Sequence, residues 1–326
     1  MTSTSSQSQG VRAEVTTAAS TTEWPGGLFL PPPEPREVAD GSKRYEGVTY
    51  AALAGYRPLQ LDVWVPASAA PPPLVVWIHG GAWLFGDRRY LPETLRPNQL
   101  FEELINAGLA VATIDYRHAL EAQFPAQLHD VKAAVRYLRA YADVLGVDTS
   151  RIGVWGESAG GHLAALIALT AQRPELEGTL GVLGESSAVD AVVDWYGVAD
   201  LTSPPAQTPP PENAAQPPPE LLTAPHDLLV GGQDQDAYAA ASPISYVTPA
   251  APPFLLVHGT ADTLVQYHHS EVLAQALTEA GVPVRLVPLE GADHIFNGHD
   301  DIDGVVRLSV DYLAEALLPA QQTHSS

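Results

Sequence analysis

The stretch Gly156-Glu157-Ser158-Ala159-Gly160-Gly161 joins an apolar segment (Ile152, Val154, Trp155) to a helical pattern running from His162 to Thr170. A chain that passes from a buried strand into a helix over so few residues must turn sharply. The serine at the apex takes strained backbone angles and points its hydroxyl outward. Glycines flank it because side chains there would clash. Such a Gly-x-Ser-x-Gly spacing is common in isolation. Its meaning depends on what the rest of the chain supplies.

The surrounding pattern alternates strand and helix. Residues 45–66 read as two strands, with Gln60 to Val65 the better one. Leu74 to Ile78 and Gly108 to Ile114 are continuous apolar runs of the kind found in buried parallel strands. A helical pattern at 93–107 separates them. From Pro125 to Leu145 the apolar positions Leu128, Val131, Ala134, Val135 and Leu138 keep helical spacing. Arg151 to Trp155, Val189 to Trp195, Phe254 to His258 and Val284 to Pro288 are further strands, and helices are expected near 268–280 and 302–317. This order predicts an α/β fold: a mostly parallel sheet of about eight strands, right-handed crossovers and helices on both faces.

Three regions fall outside the rhythm. Residues 1–40 are expected to form a disordered or extended arm, being rich in Ser, Thr, Gln and Pro and lacking periodicity. Residues 321–326 read as a flexible tail, leaving 41–320 as one catalytic domain. Residues 202–225 carry nine prolines and cannot form a continuous helix or a central strand. They are expected within a cap insertion over about 198–245, lying above the carboxyl edge of the sheet, where open α/β folds bind ligands.

Composition excludes several function classes. The 326 residues carry 38 acidic against 16 basic side chains, a net charge of −22, and Lys43 and Lys132 are the only lysines. Phosphate backbones and anionic membranes would be repelled, so neither nucleic acid nor an acidic membrane surface is expected as a partner. The acidity reads as a solvated surface, with adaptation to salt as an alternative. There is no cysteine, which rules out disulfides, thiolate chemistry and cysteine-ligated zinc. No apolar run approaches the ~18 residues of a membrane span. The N-terminus lacks the apolar core of a secretory signal, so a cytoplasmic location is expected. Oligomeric state is left open, a homodimer included.

A serine hydroxyl needs a base, a group to orient that base, and donors for the developing oxyanion. Among the downstream histidines, His294 lies in a loop just past the last strand, on the same sheet edge as Ser158. His299 is the next choice, followed by His258, His268 and His269. Asp262 follows the strand Phe254 to His258 and precedes His294, a position suited to accepting the imidazole N–H. His79-Gly80-Gly81-Ala82-Trp83 follows the strand Leu74 to Ile78, and its glycines let backbone amides approach a ligand. The His79 ring is expected to brace that loop through hydrogen bonds. Trp83, Phe85, Tyr116, Trp195, Tyr196 and Phe296 are candidates to line an apolar pocket, and each also suits a core position.

Taken together, His79 to Trp83, Asp115-Tyr116-Arg117, Gly156 to His162, Ala241-Ser242-Pro243-Ile244, His258-Gly259-Thr260-Ala261-Asp262 and Gly291 to His294 resemble the α/β-hydrolase superfamily. The resemblance spans about residues 45–317. It is strongest to hormone-sensitive-lipase-like esterases and to bacterial neighbours related to feruloyl esterases and kynurenine formamidases. It implies Ser158 as nucleophile, Asp262 as triad acid and His294 as base, with amides of Gly80, Gly81 and Ala159 forming the oxyanion hole. It also implies hydrolysis of small carboxylic esters of short to medium acyl chain through an acyl-enzyme, with no metal or cofactor. Ala82, where lipase-like relatives often carry a third glycine, and the following Trp83 point toward the formamidase and feruloyl-esterase branch. Two alternatives share the fold: an amide-bond hydrolase, arylformamidase or peptidase-like, and a non-catalytic binding protein.

Overall fold

The computed structural model describes residues 28–203 and 224–318. Residues 1–27 of the expected arm, most of the proline-rich stretch (204–223) and the tail 321–326 lie outside the described residues.

Nine strands form one sheet in the order β1-β2-β3-β5-β4-β6-β7-β8-β9. They are β1 (Arg36–Glu37), β2 (Lys43–Ala51), β3 (Leu59–Val65), β4 (Pro73–Ile78), β5 (Ala110–Ile114), β6 (Asp148–Glu157), β7 (Ala191–Trp195), β8 (Phe254–Gly259) and β9 (Val284–Leu289). The pairings from β1 through β5 are antiparallel, and those from β5 across to β9 are parallel. The ninth strand, beyond the expected eight or so, is the two-residue β1 at the edge. β4, β5, β7 and β8 are buried along their whole length, which explains their unbroken apolar sequences.

Two core layers sandwich the sheet. On one face lie α1 (Gln99–Asn106) and α8 (Ile302–Leu317), packed over Val75, Trp77, Trp155, Val193, Trp195 and Val257. On the other lie α2 (Ala126–Ala140), α4 (Ala159–Leu169) and α7 (His268–Glu279), packed over Leu74, Val76, Val154, Val192 and Leu256. Alternation along each strand sends odd- and even-numbered side chains to opposite layers. Two helices differ from the sequence expectation. The pattern at 93–107 becomes helical only at Gln99, after a series of turns, and the 125–145 helix breaks at Tyr141 before the short α3 (Ala142–Leu145).

After the proline-rich stretch the chain forms α5 (Pro225–Val230) and α6 (Gln235–Ala241), which the sequence pattern did not suggest. Pro225 opens α5 at a position where its missing N–H costs nothing, and Asp234 caps α6 by accepting from the Asp236 amide. The pair is internally tied by Tyr238 Oη donating to Asp227 and docks on the body through Phe124 N donating to Leu229 O at 2.7 Å. Among the described residues no helix is long and apolar enough to cross a membrane.

On the α2 side the fully buried Lys132 and Arg136 reach Glu177 at 3.1 and 2.6 Å. Arg136 also donates to the carbonyls of Leu180 and Val182, so two buried cations hold the 177–182 loop through one carboxylate. Removing that carboxylate leaves both cations without their counter-charge. Because the Glu177 side chain is 32% exposed and both cations keep carbonyl partners, Glu177→Ala is expected to lower the unfolding free energy by about 2 kcal/mol, less than the loss from a fully buried pair. Urea denaturation reads this as a lower midpoint at unchanged slope.

Candidate active site

The turn at Ser158 is strained, as its sequence suggests. Ser158 closes β6 and caps α4 with φ 52° and ψ −118°, a conformation costing on the order of 1–3 kcal/mol that only its surroundings can impose. Its amide donates to Trp195 O at 2.8 Å, and its carbonyl accepts from His162 N at 3.0 Å. A Cβ on Gly156 would collide with the Gly160 carbonyl, so glycine is obligatory where the strand crosses the first turn of the helix.

Three side chains form a hydrogen-bonded line. Ser158 Oγ lies 3.2 Å from His294 Nε2, and His294 Nδ1 lies 2.8 Å from Asp262 Oδ2. They come from the carboxyl ends of β6, β9 and β8. The Asp262 side chain is fully buried, whereas that of His294 is 14% exposed, so the imidazole faces the open side of the site. His294 starts a short 3-10 turn (His294–Phe296) whose amide donates to Asp293 Oδ1 at 2.7 Å. The same Asp293 oxygen accepts from Thr263 N and Oγ1, tying the loop that carries Asp262 to the loop that carries His294.

Asp262 is surrounded by donors. Its Oδ1 accepts from the amides of Leu264 and Val265 at 2.9 and 2.8 Å. Its Oδ2 receives His294 and lies 3.4 Å from His258 Nε2. Burial alone would raise its pKa, yet hydrogen bonds from His258 and His294 hold it well below the usual carboxylate range. His258 is itself fixed: Nε2 lies 2.8 Å from Val265 O, an acceptor only, so Nε2 carries the proton, while Nδ1 meets Ser270 Oγ at 2.7 Å. The other histidines stay apart from the serine. His268 pairs with Glu271, His269 approaches the Asp200 amide, and His299 N donates to Phe296 O.

The glycine loop after β4 departs from the expectation at one position. The amide of Gly80, expected in the oxyanion hole, donates to Glu157 Oε1 at 2.6 Å and is therefore committed. A side chain at Gly80 would fall on that carboxylate. The amides of Gly81, Ala82 and Ala159 donate to no acceptor among the described residues. Gly81, Ala82 and Trp83 take successive positive φ values of 101°, 53° and 58°, which turns neighbouring amides toward one side of the loop as an anion-binding concavity does. His79 is buried and stacks on Tyr116 with ring centroids 4.3 Å apart. Its Nδ1 meets Gly80 O at 2.7 Å, and burial pushes its pKa down to about 3, so it braces the loop as a neutral ring.

Most of the expected pocket residues are structural. Tyr116, Trp195 and Tyr196 are wholly buried, and Phe296 and Trp83 nearly so. Trp195 packs edge-on to Trp77 and Trp155 beneath the sheet, Tyr116 Oη donates to His79 O, and Phe296 fills the space between Trp195 and Tyr196. Tyr196 supports the His294 ring at a centroid distance of 4.8 Å. Phe85 alone is well exposed, at 49%. The sequence pattern does not single out Glu157 and His162; their one signal is a polar residue set in an apolar surrounding, at the end of the buried half of β6 and within the buried α4.

The sheet order, the strained serine turn and the converging loops define an α/β-hydrolase. The family model described as BD-FAE matches residues 61–277, and the chain belongs to that family. It is 32% identical over 288 residues to Esterase LipC of Mycobacterium tuberculosis, covering 86% of this chain and 66% of LipC. Against Esterase LipQ of the same organism the identity is 32%, over 74% of this chain and 55% of LipQ. The chain thus spans between about half and two thirds of the length of these relatives. A truncated carbohydrate esterase from gut microbiota superimposes with a TM-score of 0.70 at 28% identity, covering 87% of this chain and 99% of that one. A propionate-bound esterase of the planctomycete Thermogutta terrifontis gives 0.65 at 29% identity, covering 84% and 96%.

Glu157 carries a pH-dependent consequence. Burial pushes its pKa up from 4.5 to about 7, against the pull of His294 and the Gly80 amide. An acid whose folded pKa is raised stabilises the fold, relative to its ionised form, below its unfolded pKa, and that contribution is lost as pH rises through the folded value. Glu157→Gln keeps an acceptor for Gly80 and cannot ionise. Its stability relative to the wild type is therefore expected to rise between pH 4.5 and pH 7, by an amount on the order of 3 kcal/mol. Chemical denaturation of both proteins at several pH values measures the slope; parallel curves would contradict the assignment.

Proposed function

We propose that this chain is a serine hydrolase of small carboxylic esters, acting through Ser158, His294 and Asp262. The observation that carries the reading is the unbroken line from Ser158 Oγ through the two nitrogens of His294 to Asp262 Oδ2, at 3.2 and 2.8 Å. Asp262 is an acceptor only, so His294 Nδ1 carries the proton and Nε2 presents a lone pair to the hydroxyl. Ser158 attacks the acyl carbonyl as His294 takes its proton. The amides of Gly81, Ala82 and Ala159 receive the oxyanion, with Ala82 in the place first expected for Gly80. His294 then returns the proton to the departing alkoxide, and the alcohol leaves an acyl-enzyme. Water, giving a proton to the same imidazole, attacks the acyl carbonyl; the bond to Ser158 Oγ breaks, the carboxylic acid leaves, and His294 returns the proton to Oγ.

Ester rather than amide substrates are favoured by the company the chain keeps, since LipC, LipQ and the Thermogutta terrifontis protein are all esterases by name. That last protein has been seen with propionate and with butyrate, which supports a short acyl group here. Ser158→Ala is expected to abolish turnover of p-nitrophenyl acetate and labelling by a fluorophosphonate; residual turnover at the wild-type rate would refute the reading. Asp262→Asn keeps the shape of the acid but forces the wrong His294 tautomer, and kcat is expected to fall about 10⁴-fold. Rates on p-nitrophenyl acetate and the matching acetanilide, measured side by side, are expected to favour the ester strongly.

A further inference from the structure

His162 lies on α4, one helical turn beyond Ser158, and no step of the proposed chemistry uses it. It is wholly buried. Its Nδ1 lies 3.2 Å from Trp83 Nε1, and its Nε2 lies 2.7 Å from the carbonyl of Ala241. The partners fix the proton. An indole N–H only donates and a carbonyl only accepts, so Nδ1 must be the acceptor and Nε2 must bear the hydrogen. One neutral imidazole thus joins three parts of the site: the helix behind the nucleophile, the glycine loop and the last residue of the cap helix α6.

The Trp83 end of this link is mechanically significant. Ala82 and Trp83 are non-glycine residues with φ near +55°, at 53° and 58°. Such angles persist only where the surroundings over-determine them. Two bonds supply that constraint at Trp83, the indole to His162 and the carbonyl of Trp83, which accepts from Ala119 N at 2.7 Å. The Ala82 N–H belongs to the peptide joining Gly81 to Ala82 and is separated from Trp83 by the φ and ψ of Ala82 alone, so anchoring Trp83 limits how far that peptide can turn.

We propose that His162 is a positioning residue: by fixing the Trp83 indole against the docked end of α6, it holds the amides of Gly81 and Ala82 in the orientation that receives the oxyanion. This rests on the hydrolase reading above and on those two amides as donors. Burial supports it by lowering the His162 pKa to about 4, which keeps the lone pair on Nδ1 available to the indole at neutral pH. The cap then acts on catalysis through one side chain. A cap held at Ala241 keeps the hole formed, and a loosened one lets Trp83 and Ala82 relax.

Transition-state binding separates this role from a purely structural one. Trp83→Phe removes the N–H and keeps most of the ring. His162→Phe removes both bonds, and His162→Asn retains an amide oxygen near the Nδ1 position that can still accept from the indole. Each variant is assayed with p-nitrophenyl acetate and with an aryl trifluoromethyl ketone, which adds to Ser158 to give a tetrahedral oxyanion. Because the hole acts on the oxyanion more than on the ground-state ester, Trp83→Phe and His162→Phe are expected to lose kcat by about 10- to 100-fold and ketone affinity by a similar factor, with KM changed by no more than about twofold. His162→Asn is expected to recover much of what His162→Phe loses. Folded Trp83→Phe with wild-type kcat and ketone affinity would overturn the proposal, as would losses confined to KM or to melting temperature. If His162→Phe fails to fold, Trp83→Phe decides alone. Wild-type turnover that is abolished by Ser158→Ala shows that the hydrolase reading stands whatever these variants do.

Discussion

The backbone strain at Ser158 is the constraint on which the rest of the site depends. A residue at φ 52° and ψ −118° cannot hold its shape locally. It is held because β6 is the central strand of the parallel part of the sheet, flanked by β4 and β7 in register along its buried half. Trp195 O accepts its amide from one side, and α4 begins directly from the other. The strain is thus balanced by the packing of Val154, Trp155 and Leu163 in two buried layers. The other side chains and loop of the candidate site arrive from the carboxyl ends of further strands in the same sheet: the glycine loop from β4, Asp262 from β8 and His294 beyond β9. Neighbouring parallel strands deliver their carboxyl ends to one edge, and this is why residues far apart in sequence meet there.

A second theme is the use of fully buried polar groups as braces. Glu157, His162, His258 and Asp262 are all in the interior, and each is held in place by its hydrogen-bond partners. Glu157 takes the Gly80 amide, which leaves the amides of the next two residues of the loop without an acceptor among the described residues. His258 donates toward Val265 O and packs 3.4 Å from the carboxylate that receives His294, so Asp262 cannot rotate without breaking its bonds to the His294 ring and to two amides. Such networks are costly when half satisfied and rigid when complete. Rigidity is what a hydrogen-bonded line from a weakly nucleophilic serine requires.

Much of this could be read from the sequence because the relevant signals are local. Strand runs such as Leu74 to Ile78 and Phe254 to His258 are bounded by glycine and proline, and each precedes a chemistry-bearing loop. The serine, the aspartate and the histidine follow from those positions and from their order along the chain. What escaped was of a different kind. That Gly80 donates to Glu157 depends on how close β4 lies to β6, a tertiary distance with no signature in either segment. The helices α5 and α6 follow a run of prolines that masks the short helical pattern after it, and only the Asp234 cap and Pro225 at a helix start hint at them.

The aromatic residues show how the alternation of a two-faced sheet decides between pocket and core. Trp77 pairs with Trp155 across β4 and β6, and Glu157 pairs with Trp195 across β6 and β7. Residues two apart on a strand share a face, so Trp155 and Glu157 point to the same layer, and the register brings Trp195 into it beside Trp77. That layer is closed by α1 and α8, and its indoles therefore meet one another edge to face, at 4.8 to 6.4 Å. Trp195 thus packs under the carboxyl end of β7, while the loop that follows carries Tyr196 up against His294. Large aromatics near this edge serve as a floor beneath the His294 ring. Exposed aromatic surface near that edge is left to the connecting loops, where Phe85 is 49% exposed.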